Sequence, residues 1–372
     1  MSKSHKPRVV HIVATLDFGG LERHMETVAR HSDASSMEQV FCAIGNGGKT
    51  ERHLRATGAE VICLGKPFRI PSISTIVALF LLFRRLRPMV VHTRGAEPNF
   101  HGLIAAWLAG IPVRVGEEIG IPNHSWKVRT AFRAVYGLAH RVIGVSQAVT
   151  ECLVNSGEVP LRKARRVYCP TDLPEVRQDY SNDGSVFRLV NVGRLEPSKQ
   201  LDMLVGVLKD LREAAIPAEL WLIGDGSQRQ ILERKVREAG LTEHVVFHGY
   251  QADPDRLVRQ CDVFVLSCCT EGFGLALVEA MGCGVPGIGT ATGGPAEIID
   301  HGVTGWLVPN INQRLLTDAL ITAYQAGPEK LRVMGQKARA SVENRFRPDK
   351  YLMELDSLYA GVLDKVAQIH IK

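Results

Sequence analysis

Hydrophobic residues alternate between two patterns along the chain. Short apolar runs at 8–14, 39–44, 60–64, 89–92, 113–116 and 141–145 read as buried strands. The segments between them, at 21–31, near 50–57, and at 73–86, 101–109 and 126–139, carry apolar positions at helical spacing. Strands alternating with helices in this way imply a parallel sheet covered on both faces. Around 170–184 the sequence turns polar and irregular, with Pro170, Pro174, Asn182 and Gly184, and reads as a linker. The alternation then restarts, with strands at 186–192, 218–223, 245–249, 263–267 and 285–290 and helices at 201–214 and 228–239. Each half opens on a buried strand, a glycine-containing loop and a helix. The expected fold class is therefore α/β, with two Rossmann-like doubly wound domains at 1–172 and 185–346. In such sheets ligands sit at the carboxyl ends of the strands, so the loops of both halves are expected to line a shared cleft. Residues 349–366 carry a helical apolar stripe at 352, 355, 358, 359, 362 and 363, and 347–372 are expected to return to the first domain.

A chain of 372 residues, 45% hydrophobic and 23% charged, suits two globular domains. No secretory signal is read at its start: residues 1–7 are polar, and His11 and Thr15 interrupt the next apolar run. The longest apolar stretch, 76–83, is far short of the ~20 residues a spanning helix needs. Eight cysteines without a Cys-x-x-Cys pair suggest reduced thiols in a cytoplasmic setting, with Cys268 and Cys269 buried. The net charge of +6 is unevenly spread: residues 1–170 hold 23 Lys and Arg against 12 Asp and Glu, the remainder 22 against 27. The first half is expected to meet something anionic. Nucleic acid is disfavoured, since no recognition motif or aromatic stacking series is present. An anionic membrane surface bearing a lipid-phosphate acceptor accounts for the asymmetry, with the protein peripheral at its inner face. Within 70–88 the apolar residues beside Arg84, Arg85 and Arg87 are expected to form the buried face of a helix.

Several constellations could carry chemistry. Gly224-x-Gly226 follows a strand and precedes a helix, but Arg229 occupies the third position of the Gly-x-Gly-x-x-Gly fingerprint, so a plain tight turn explains it equally well. Arg194 and Lys199 lie on one loop between a strand and a helix, where two cations and a helix amino end can converge on a pyrophosphate. Glu271, Gly272, Phe273, Gly274 and Leu275 open the segment that runs to Glu279. Its glycines let backbone N–H groups approach a phosphate or sugar, and an acid at each end can take hydroxyls at two places along an extended ligand. The bland alternatives are an exposed helix charge for Glu279 and a helix-start charge for Glu271. Asp253-Pro254-Asp255 invites a divalent-metal reading. Asp before Pro at the opening of a 256–260 helix instead suggests an N-cap followed by a first-turn proline, so no metal is assigned. Gly19 and Gly20 supply a glycine turn in the first half. His92, Arg94, His101, Glu117, Glu118 and His124 fall near strand ends there, each more often structural than functional.

These pieces converge. Gly19-Gly20-x-Glu22-Arg23, Gly193-Arg194-Leu195 with Lys199, Gly224-x-Gly226, Glu271 and Glu279 at Glu-x7-Glu spacing, Gly293-Gly294 with Glu297, and Gly302-x-Thr304-Gly305-x-Leu307-Val308 occur in order. With them the chain resembles, from end to end, family 4 of the glycosyltransferases, retaining enzymes of the GT-B fold. The resemblance implies a nucleotide-diphosphate sugar as donor, with no cofactor or metal. It implies that Arg194 and Lys199 bind the diphosphate, Glu271 the sugar and Glu279 the ribose. Backbone near Phe273–Leu275 would meet sugar and phosphate, and Gly249, Tyr250 and Gln251 the base. The implied acceptor is a lipid-linked or growing glycan. Many members carry a histidine just after the strand at 113–116. Here the chain reads Gly116-Glu117-Glu118, and Glu118 is taken as the occupant. An epimerase of the same fold and a catalytically idle binding subunit remain alternatives.

Overall fold

The computed structural model describes residues 6–17, 19–175, 186–268, 270–310 and 312–370. Asn182, Gly184 and Cys269 lie outside them. The chain divides into two units, one formed by Met1–Pro170 with Pro348–Lys372 and one by Thr171–Arg347.

The first unit holds a parallel sheet of β1 (Arg8–Val13), β2 (Glu38–Ala43), β3 (Glu60–Cys63), β4 (Val90–Arg94), β5 (Val113–Glu118), β6 (Arg141–Gly144) and β7 (Ala164–Arg166). Their order is β3-β2-β1-β4-β5-β6-β7, with β1 paired to β2 on one side and β4 on the other. The connecting helices are α1 (Gly20–Arg30), α2 (Lys49–Ala56), α3 (Ile73–Leu86), α4 (Ala96–Leu108), α5 (Trp126–Leu138) and α6 (Gln147–Asn155). The strands β1, β2, β4, β5 and β6 are largely buried on both faces, which is why they read as apolar runs. One apolar cluster joins Leu79, Leu82 and Phe83 of α3 to Ala105 and Ala106 of α4. A second joins Met25 and Val28 of α1 to the final helix, α13 (Pro348–His370), through Leu352, Leu355, Tyr359 and Val362.

In the second unit the sheet order is β10-β9-β8-β11-β12-β13, all neighbours parallel. Its strands are β8 (Phe187–Val192), β9 (Ala218–Ile223), β10 (Val245–Gly249), β11 (Val263–Val265), β12 (Gly287–Thr290) and β13 (Gly305–Val308). Its helices are α7 (Leu201–Glu213), α8 (Arg229–Glu238), α9 (Asp255–Val258), α10 (Leu275–Gly282), α11 (Pro295–Ile298) and α12 (Gln313–Arg345). The chain runs outward from β8 through β9 to β10, then returns to β11 on the other side of β8. The order therefore reverses between the carboxyl ends of β8 and β11, where ligands bind in doubly wound sheets.

Three expectations need correction, and one of the bland alternatives, that for Glu279, falls. Helix α4 begins at Ala96 rather than 101, because Pro98 falls in its first turn, where the missing N–H costs nothing. Pro254, not Asp253, is the N-cap of α9, which ends at Val258. Glu279 is buried, not an exposed helix charge. On α3, Thr75, Leu79, Leu82 and Phe83 are buried, but Ile73, Val77 and Leu81 are exposed. The helices α6, α11 and α12 and the strands β7 and β13 escaped the periodicity reading. Helix α12 is broken at Gly327, whose φ of 78° and following Pro328 interrupt the helical backbone.

Candidate functional site

Three loops at the carboxyl ends of β8, β9 and β10 are laced together by backbone hydrogen bonds. Gly193 N donates to Ile223 O at 3.0 Å, Leu195 N to Asp225 O at 3.0 Å, and Gly224 N to Gly249 O at 2.8 Å. The approach is so close that a Cβ on Gly224 would lie 1.9 Å from Gly193 O, and its φ of 135° disfavours any side chain. A Cβ on Gly226 would lie 2.6 Å from Leu195 O, so both glycines are demanded by loop-on-loop packing. Arg229, in the third position of the fingerprint, turns its guanidinium to Asp225 at 3.3 Å and Glu233 at 3.0 Å.

Arg194 and Lys199 leave the β8 loop in different environments. Arg194 is exposed and makes no ion pair among the described residues. Lys199 ends a single 3-10 turn begun by Pro197, and its carbonyl accepts from Ser267 Oγ at 2.8 Å, which ties this loop to the end of β11. Its ammonium meets Glu271 Oε2 at 2.7 Å. Burial alone lowers the lysine pKa, but the charge and hydrogen bond of Glu271 outweigh it, and the net shift is upward. Cys268 donates weakly to the same oxygen at 3.6 Å, and burial followed by the Glu271 charge pushes its thiol up to about 12. That thiol is no nucleophile at neutral pH.

The loop carrying Glu271 is braced from beneath. Gly294 N donates to Glu271 O at 2.9 Å, and a Cβ on Gly294 would lie 2.0 Å from Phe273 O. Gly274, with φ of 102°, caps α10, while Phe273 turns its ring inward against Phe346 at 5.4 Å. Gly272, Phe273 and Gly274 are buried there, and Leu275 is half-buried. Glu279 sits on α10 among buried Leu277, Val278, Ala280 and Met281. Farther along the strand ends, Gly249 closes β10 with φ of 65°, Tyr250 is 40% exposed, and Gln251 Nε2 donates to His248 O at 2.8 Å. Ser267, Cys268 and Gly294 were not singled out as site residues. The legible signs were the Gly293-Gly294 pair and a polar Ser267 ending an apolar run.

In the first unit, Gly19 is the N-cap of α1, and a Cβ there would lie 2.5 Å from Glu22 Oε2. Gly20 begins that helix. The six residues grouped near strand ends separate into distinct sets. Glu117 meets His92 Nε2 at 2.9 Å and Arg94 Nε at 3.2 Å, all three fully or nearly buried. Arg94 continues to His11 Nδ1 at 2.6 Å and to the Tyr351 hydroxyl of α13 at 3.1 Å, and His92 Nδ1 meets Tyr359 Oη at 2.7 Å. Burial, then the Arg94 charge, holds His11 and His92 well below the usual histidine range. Glu118 stands apart: it accepts from Asn99 Nδ2 at 3.0 Å and from the Tyr136 hydroxyl in a short contact, and burial raises its pKa. His124 pairs with Glu158 at 3.2 Å, and His101 Nε2 accepts from Ser72 N at 3.0 Å. Asp253 and Asp255 join no group of three or more possible metal ligands among the described residues.

Comparison with known proteins places the chain in a family. Residues 18–175 match the family model described as Glycosyltransferase Family 4, and residues 173–341 the model described as Glycosyl transferases group 1. The chain is 30% identical over 322 residues to a GDP-mannose-dependent alpha-mannosyltransferase of Mycobacterium tuberculosis, covering 74% of this chain and 82% of that one. It is 33% identical over 199 residues to N-acetyl-alpha-D-glucosaminyl L-malate synthase of Bacillus anthracis, covering 53% and 51%. In several such matches the chain spans about half the relative's length. Among solved structures, Anabaena HepE in complex with UDP and glucose superposes with a TM-score of 0.82 at 20% identity, over 95% of this chain and 99% of that one. With both halves matched in order and the fold shared over nearly the whole length, the chain belongs to glycosyltransferase family 4 and has the GT-B fold.

Proposed function

We propose that this protein transfers a sugar from a nucleotide-diphosphate donor to a lipid-linked or glycan acceptor, with retention at the anomeric carbon and without a metal ion. The observation that carries the reading is the Lys199–Glu271 pair, at 2.7 Å, where the strand order of the second unit reverses. Relatives described as GDP-mannose-dependent mannosyltransferases, and HepE in complex with UDP and glucose, support the donor class. In this reading Arg194 and Lys199 neutralise the charge that builds on the leaving diphosphate. Glu271 holds hydroxyls of the transferred sugar while keeping the Lys199 ammonium aimed at the phosphate. Glu279 takes the ribose, backbone of Gly272–Leu275 meets sugar and phosphate, and Gly249–Gln251 frame the base. The departing phosphate oxygen helps remove the acceptor's proton on the same face of the sugar. Gly19 and Gly20 open the corresponding turn of the first unit, and Glu118, held by Tyr136 and Asn99, shapes the end of β5.

Calorimetry with UDP and GDP, which keep the ribose and lack the sugar, separates the roles. Glu279→Gln should weaken nucleotide binding by the ~1.5–3 kcal/mol of a charged hydrogen bond. Glu271→Gln keeps an oxygen that can accept from the Lys199 ammonium, so it should leave nucleotide binding nearly unchanged and lower turnover with the intact donor instead. The opposite pattern would place the donor the other way along the segment. Release of nucleotide diphosphate without any glycosylated product would remove the transfer reading.

A further inference from the structure

The exposed face of α3 is apolar where a soluble helix is polar. Its buried side is Thr75, Leu79, Leu82 and Phe83. On its outer side Ile73, Val77 and Leu81, spaced four apart, are 79%, 48% and 60% exposed. At 100° per residue these three and Arg84 fall within one quarter of the helix circumference, and Arg85 borders them. Phe68 and Ile70, 59% and 43% exposed, continue the apolar strip upstream, with Arg69 exposed between them. A solvated helix face does not ordinarily present three large aliphatic residues in line.

The neighbouring helices extend the pattern. The strands flanking α3, α4 and α5 are added in one direction across the sheet, so right-handed connections place all three helices on the same side. Helix α4 exposes Trp107 and Leu108 at its end, and α5 begins with Trp126, 71% exposed, followed by exposed Lys127, Arg129 and Arg133. No Asp or Glu occurs between Glu60 and Glu97, nor between Glu118 and Glu151. Of the acids that interrupt these stretches, Glu117 and Glu118 are buried and Glu97 is half-buried beside the Arg69 backbone N–H. The face thus carries exposed cations and aromatic and aliphatic side chains with almost no acid to oppose them.

We propose that this α3–α4–α5 face docks on an anionic lipid bilayer, with Ile73, Val77 and Leu81 entering the interface and Arg84 and Arg85 meeting lipid phosphates. Apolar insertion and electrostatic attraction add in such interfacial helices. A second protein chain would supply acids to complement these arginines only by a dedicated interface, whereas an anionic headgroup layer meets the whole cationic face at once. No helix among the described residues is long and apolar enough to cross a membrane, so the attachment is to one leaflet. The proposal stands apart from sugar transfer, because vesicle binding is measured without donor or acceptor.

The test is co-sedimentation of the full chain with vesicles of phosphatidylcholine alone and with phosphatidylglycerol added. Wild type should bind the anionic vesicles preferentially, and raising the salt should release it. Replacing Arg84 and Arg85 by Ala should weaken partitioning about five-fold per charge. Ile73→Ser, Val77→Ser and Leu81→Ser combined should weaken it further at any salt while leaving the thermal midpoint unchanged, since all three are exposed. Equal binding to both vesicle types, or variants that bind like wild type, overturns the proposal. So does a stripe variant that turns a dimer into a monomer in light scattering while vesicle binding persists, which would assign the face to a second copy.

Discussion

His24 shows how far a single side chain can depart from its ordinary behaviour in this fold. It is buried on α1 against Tyr351, with ring centroids 5.1 Å apart, and its Nε2 has no hydrogen-bond partner among the described residues. Burial lowers its pKa to about 3; Glu117 opposes the shift, and Arg94, His92 and His11 reinforce it. The unfolded chain takes up a proton near pH 6.5 while the native state does not, so stability falls as pH drops through the window from about 6.5 to about 3. The expected loss from this residue is ~1.4 kcal/mol per pH unit within the window. Urea denaturation at pH 7 and pH 5 checks it: His24→Gln should lose less stability on acidification than wild type, by about one proton's worth. Identical slopes would mean that His24 is protonated in both states. The same neighbourhood explains why His92, Arg94 and Glu117 read as site candidates. They are polar residues at strand ends, but their partners include Tyr351 and Tyr359, more than two hundred residues away.

Among the elements, the loops decide more than the strands. Gly224-x-Gly226 read as an incomplete cofactor fingerprint, yet both glycines are required by backbone approaching backbone. Gly224→Ala should therefore cost about 2–3 kcal/mol, the range for strain combined with overpacking. Gly240→Ala is the control: its φ is 69° but nothing lies within 4 Å of the added methyl, so only the ~1 kcal/mol left-handed penalty applies. Denaturation midpoints of the two variants should separate in that order, and Gly224→Ala alone should also weaken nucleotide-diphosphate binding. Equal costs would mean that the β8 loop yields freely. Helix α3 carries the complementary lesson. Its bounds were legible from periodicity, 73–86 in both readings, but a helix that is apolar nearly all round does not reveal which side faces the core.

At the scale of the whole molecule, charge is unevenly divided. The first unit holds the excess of cations, and in the second the two cations proposed to meet the diphosphate differ in setting: Arg194 is exposed and Lys199 is paired with Glu271. If these two do the work of a divalent ion at the diphosphate, turnover should persist in excess EDTA, and replacing either by Ala should cost ~10²–10³ in rate. Activity lost in EDTA and restored by Mn²⁺ or Mg²⁺ would return attention to Asp253 and Asp255.

By itself the sequence determined the parallel α/β class, the twofold recurrence of strand, glycine loop and helix, and the order of the loops that meet at the site. Those features are local: a strand buried on both faces is apolar throughout, and a backbone that must pass close to another needs glycine wherever the chain leads. Tertiary structure alone decided that Glu279 is buried, that Lys199 is held by Glu271 and Ser267, and that Ile73, Val77 and Leu81 face outward. Each depends on which distant segment packs against which face. An apolar residue carries the same hydrophobicity whether it lies under a neighbouring helix or bare on the surface. Only the contacts assembled from remote parts of the chain distinguish the two.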